Sequence, residues 1–208
     1  MVSLLKRGYY FIQKQYRSFR IKNKNITIIS NNCWGGFMYQ SCNLPYYSPL
    51  IGLYFYAPEY IKFLKNLKYN IEQPLRFIKK EDSKYSKYIS DNYIIGILGN
   101  TGIEIVFMHY KSEEEVLSKW ERRKSRIDYN NMIIKFSDSD PCRDDKYIYE
   151  FDNLPFKNKV CFTGKKYEDC ESVIFMKQFE KQGFALYEWS YSYKYYNFVN
   201  IANKLIRK

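Results

Sequence analysis

The chain has a single histidine, His109, and no Cys-x-x-Cys pair. That scarcity argues against a structural zinc clip, which needs four closely spaced nitrogen and sulfur ligands. The five cysteines, Cys33, Cys42, Cys142, Cys161 and Cys170, are odd in number. No uninterrupted apolar stretch follows the charged N-terminus as a secretory signal requires, so reduced thiols and a cytoplasmic location are expected. No apolar run reaches the length of a membrane span. Only six prolines occur in 208 residues of which 46% are hydrophobic, a balance that excludes a disordered chain. Internal repeats, linkers and the usual nucleic-acid motifs are also missing, so no nucleic-acid partner is expected.

What is present is positive charge and aromatic surface. The net charge of +12 calls for an anionic partner, a membrane face or a phosphorylated substrate once nucleic acid is set aside. The richness in Lys, Asn, Ile and Tyr also has the look of a compositional bias, which weakens charge as a guide. Residues 2–20 place Leu5, Tyr9, Ile12, Tyr16 and Phe19 at helical spacing, with Lys6, Arg7, Lys14, Arg17 and Arg20 elsewhere around the wheel. Such a stripe ordinarily packs on its own sheet; the second reading is a basic helix lying at the inner face of a membrane. The expected organisation is therefore a basic amphipathic helix over residues 1–22 followed by one α/β domain over 23–208.

Within that domain the β-branched run Ile26 to Ile29 predicts a strand buried on both faces. Ser30, Asn31 and Asn32 then form a polar corner, Cys33 and Trp34 follow, and Gly35 and Gly36 permit a tight turn into a helix. A strand is predicted over 50–56. Pro58 and Glu59 announce a helix to about residue 68, followed by a strand over 74–79 and a solvated charged loop over 80–87. The runs 93–98 and 103–108, joined by Gly99-Asn100-Thr101-Gly102, predict a β-hairpin. Ser112 and Glu115 form a capping box that opens a helix over 113–126. Strands follow at 132–136, 159–163 and 173–176, with 151–156 a connecting segment and a helix ending the chain. The sum is an α/β protein, a three-layer α/β/α arrangement around a mixed, mostly parallel sheet.

Three readings of the chemistry stand side by side. In the first, Cys33 and His109 both sit just past strand ends and form a nucleophilic pair. Asn32 or Asn31 then donates to an oxyanion or orients the imidazole, and Trp34, Gly35, Arg122 and Arg126 complete a substrate site, the arginines neutralising phosphate or carboxylate. In the second, Asp138 and Asp140 hold a divalent metal against a nucleotide-sugar diphosphate, although Asp-Ser-Asp-Pro is also an ordinary turn. The third is non-catalytic: 23 tyrosines and 15 phenylalanines can line a carbohydrate cleft or a docking face for a membrane-bound synthesis complex. Against all three, Cys33 can pack as a small hydrophobe and His109 can simply brace its helix.

Three blocks carry a resemblance. They are Ile28-Ile29-Ser30-Asn31-Asn32-Cys33-Trp34-Gly35-Gly36 with Tyr39; His109-Tyr110-Lys111-Ser112 with Glu114, Glu115, Lys119, Trp120, Arg122, Arg123, Arg126 and Ile127; and Leu154-Pro155-Phe156 with Asn158-Lys159-Val160-Cys161-Phe162. Together they resemble a bacterial family known as a domain of unknown function and usually described as exopolysaccharide or capsule biosynthesis proteins. The likeness runs from about residue 24 to 204. It implies an α/β fold and a place in making surface polysaccharide, with an activated sugar or nucleotide-sugar as the expected partner. The resemblance names no reaction; the Cys33–His109 reading fits an acyl or glycosyl transfer, so a transferase with no resident cofactor is the expectation.

Overall fold

In the computed structural model residues 4–206 are described. Helix α1 (Leu4–Arg20) leads to strand β1 (Thr27–Ser30), helix α2 (Trp34–Ser41) and the short strand β2 (Leu53–Tyr54). Helices α3 (Ala57–Lys65) and α4 (Leu67–Glu72) precede strands β3 (Leu75–Ile78), β4 (Ile94–Leu98) and β5 (Ile103–Phe107). Helix α5 (Glu113–Lys124), strand β6 (Met132–Ser137), helix α6 (Asp145–Asp152), strands β7 (Lys159–Thr163) and β8 (Val173–Phe175), and helix α7 (Phe198–Lys204) complete the order. Residues 1–3 of the expected first helix lie outside the described residues.

The protein is α/β, but the strands expected in one mixed sheet are sorted into two. A parallel sheet runs β1-β6-β7-β8 and an antiparallel sheet runs β2-β5-β4-β3. The parallel sheet is covered on both sides, and alternation along its strands divides its residues between two cores. Ile29, Ile134, Phe136 and Cys161 join Tyr60, Phe63, Trp120 and Phe151 in one; Ile28, Ile133, Val160 and Phe162 join Trp34, Tyr39 and Phe198 in the other. Continuous apolar runs are what such a two-sided strand requires.

Several local signals act as read. The 93–98 and 103–108 runs pair antiparallel across the Gly99 to Gly102 turn. Ser112 caps α5, its Oγ accepting from the Glu115 N–H at 3.2 Å, while the Glu115 carboxylate accepts from the Lys111 N–H at 2.7 Å. Helix α6 forms where the sequence predicts no regular element before residue 151. It is capped by Asp144, which accepts from the Lys146 N–H at 2.9 Å, and only Ile148 and Phe151 are buried along it. Two inward residues give too short a period to stand out.

Helix α1 departs most from expectation. Ile12, Tyr16 and Phe19 are 65%, 56% and 87% exposed, so this part of the stripe does not turn onto a sheet; the side chains of Leu5 and Tyr9 lie outside those described. Among the described residues no helix is long and apolar enough to cross a membrane.

Candidate active site

The two sheets present their strand ends to one another, and the site lies there. Cys33 follows the carboxyl end of β1 and stands at the N-terminus of α2. His109 follows the carboxyl end of β5 in the other sheet. The Cys33 Sγ and His109 Nε2 are 3.6 Å apart. Both open onto a cleft of ≈ 400 Å³.

Gly52 sets the position of the histidine. Its carbonyl accepts the N–H groups of Met108 and His109 at 3.0 and 3.1 Å. It does so at φ +72°, where a side chain is strained, and an added Cβ would stand 3.2 Å from the His109 Cβ. The opposing wall comes from α5. Arg123 is buried, donates to the Tyr110 hydroxyl at 2.9 Å and lies 4.9 Å from the Tyr46 ring centroid. Lys119 also lines the cleft and pairs with Glu115 one turn back. Gln40, Tyr46 and Tyr110 also line it; with Lys119 matched by Glu115, Arg123 is the wall cation without a carboxylate partner among the described residues.

Beneath the cysteine lies a polar cluster that the sequence reading missed. Lys135, in the middle of β6, and Glu188 are both fully buried and form an ion pair. The Lys135 ammonium also donates to Asn32 Oδ1 at 2.8 Å, Ser137 Oγ at 3.1 Å and Asn31 Oδ1 at 3.3 Å. Asn32 in turn donates to Glu188 Oε1 at 2.8 Å and accepts from the Trp34 N–H at 3.1 Å. Burial pushes the lysine below its ordinary pKa, against the attraction of Glu188. Glu188 Oε2 has no hydrogen-bond partner among the described residues.

The expected site residues therefore fall into three places. Cys33 and His109 meet at the cleft. Asn31, Asn32, Trp34 and Gly35 are buried behind it. The two asparagines hold the floor; Trp34 donates to Ser192 Oγ at 2.9 Å; an added Cβ on Gly35 would meet Ile28 at 3.2 Å. Arg122, on α5, and Arg126, just past its end, are exposed and are not among the residues lining the cleft. Arg123 takes the inward position because it continues the stripe of Val116 and Trp120. That periodicity was the signal that could have found it. A lysine inside the apolar strand Met-Ile-Ile-Lys-Phe was the signal for Lys135; nothing local marks Glu188.

Burial pushes the Cys33 thiol up, the nearby Lys135 charge opposing and Glu188 reinforcing the rise. The resting sulfur is thus a protonated thiol at neutral pH, and its activation needs a base at the distance His109 occupies.

Asp138 and Asp140, the expected metal pair, are committed elsewhere. Asp138 accepts the N–H groups of Ala185 at 2.6 Å and Gly164 at 3.1 Å; Asp140 accepts those of Cys142 at 2.7 Å and Ala57 at 3.0 Å. All four oxygens are engaged, tying three loop residues and the first residue of α3 to the end of β6. No group of three or more metal-ligating side chains forms among the described residues. Burial pushes Asp138 up to about 7 and Asp140 up to about 6, despite N–H donors that favour the anions. Unfolded, such carboxyls ionise near ~3.9. The fold thus holds protons that the unfolded chain has lost, and the stability this lends, complete below about pH 4, is lost as pH rises through 6 and 7. Thermal melts from pH 5 to 8 should show a decline on the order of 4 kcal/mol, of which Asp138→Asn should remove roughly two thirds. Parallel pH slopes for the two proteins would refute this account.

The fold and site define an α/β protein with a cysteine–histidine cleft between two sheets. A family model, "Domain of unknown function (DUF1919)", matches residues 6–205. The chain belongs to that family. It is also 38% identical over 177 residues, 85% of this chain and 80% of the relative, to an uncharacterized protein of Haemophilus influenzae.

Proposed function

We propose that this chain is a cytoplasmic, thiol-dependent transferase that moves a sugar or acyl group from an anionic activated donor in the making of bacterial surface polysaccharide. The observation that supports it most is the 3.6 Å approach of Cys33 Sγ to His109 Nε2 in a cleft walled by Arg123 and Lys119. The polysaccharide context comes from the resemblance of the three sequence blocks.

In this reading the donor's phosphate or carboxylate lies against Arg123 and Lys119, and its reactive carbon meets Cys33. His109 takes the Sγ proton as the carbon–sulfur bond forms and the bond to the leaving group breaks; the same proton then passes to the leaving group. An acceptor hydroxyl, deprotonated by His109, attacks the carbon, and the sulfur leaves with its proton restored. The first turn of α2 begins beside Cys33, and its positive end favours the charge that develops there. Asn32, Lys135 and Glu188 act as positioning residues through the corner that carries Cys33.

A bacterium in which the gene is replaced by its Cys33→Ala form should lose the affected polymer as completely as a deletion strain, at unchanged protein level. Wild-type polymer in that strain would remove the nucleophile and favour the accessory, carbohydrate-binding reading.

A further inference from the structure

An amphipathic helix on a folded protein ordinarily turns its apolar side inward, and the described side chains of α1 do the reverse. At 100° per residue Phe11, Ile12 and Phe19 fall within one arc of about 100°. They are 62%, 65% and 87% exposed. Among the described side chains the half-buried ones are instead polar, Gln13, Arg17 and Ser18, with the Arg17 guanidinium 5.8 Å from the Tyr193 ring centroid. Single exposed apolar residues are unremarkable on a protein surface, but three on one helical arc form a patch.

The charge around that patch says what covers it. Residues 1–24 contain seven lysines and arginines, and the first acidic residue of the chain is Glu59. Lys14, Lys22 and Lys24 are exposed on or just after the helix. None of the three forms an ion pair with a carboxylate among the described residues. A second copy of this chain would bring the same unrelieved positive charge to the contact. An anionic bilayer instead takes both components, aromatic and aliphatic side chains at the acyl boundary and ammonium groups among the phosphates.

We propose that α1 is an interfacial helix that seats the protein on an anionic phospholipid surface, with Phe11, Ile12 and Phe19 entering the headgroup boundary and Lys14, Lys22 and Lys24 resting on phosphates. The inference is independent of the chemistry assigned to Cys33.

Vesicle co-sedimentation of the full chain tests it. Phosphatidylcholine vesicles containing about 30% phosphatidylglycerol should retain the protein and pure phosphatidylcholine should not. Binding should fall at least about tenfold in Phe11→Ser/Ile12→Ser/Phe19→Ser, and again in Lys14→Glu/Lys22→Glu/Lys24→Glu, with thermal melts unchanged because the altered positions are exposed. Three results overturn the proposal: no retention by anionic vesicles, undiminished retention of the serine variant, or a concentration-dependent dimer that the serine variant abolishes.

Discussion

Lys135→Met is expected to destabilise the fold by about 3–5 kcal/mol, because it strands a buried carboxylate without its counter-charge. Glu188 is fully buried, and among the described residues one of its oxygens already lacks a partner; removing the ammonium leaves the other, among those residues, with the Asn32 amide and Ser137 hydroxyl. Exchanging both members, Lys135→Met with Glu188→Leu, should recover a large part of the loss, since well-packed apolar residues commonly replace a buried pair at little cost. Urea denaturation of the two single variants and the double variant supplies the cycle. A single variant within about 1 kcal/mol of wild type would show that the pair is not what holds the corner. Loss of the cluster should also loosen Cys33, because Asn32 ties it to the first backbone N–H of α2.

His109→Ala should slow group transfer through Cys33 by ~10²–10⁴-fold, the usual contribution of a positioned general base. The thiol is raised above its ordinary pKa by burial, so at neutral pH it depends on a neighbour to take its proton. In strong alkali that dependence disappears. Alkylation of Cys33 by iodoacetamide should therefore be slower in the variant near neutrality and converge with wild type once the thiolate forms unaided. Equal rates at neutral pH would mean that the imidazole is a neighbour and not a base.

What could be read in advance follows from how local each signal is. The hairpin around Gly99 to Gly102 and the Ser112 cap are specified by residues within a few positions of one another and form as read. Strand β1 and helix α2 do too, but Gly35 and Gly36 lie inside α2 and not in the turn, Gly35 serving close packing on Ile28. The division into two sheets is a matter of which distant strands pair, β1 with β6 and β2 with β5, and no strand states its partner. The polarity of α1 was legible while its orientation was not, because periodicity shows that a helix has two sides without showing which one meets the rest of the protein. Arg123 illustrates the finer limit. Three arginines fall within five residues, and only the one in phase with Val116 and Trp120 reaches the cleft.

The thiol and the imidazole hang from different sheets. Any shear between those sheets therefore changes the Sγ to Nε2 spacing directly, without either side chain changing rotamer. A donor that bridges α2 and α5 across the cleft would hold the thiol and the imidazole at one spacing. The 3.6 Å spacing of thiol and imidazole is therefore a direct gauge of how the two sheets sit against one another.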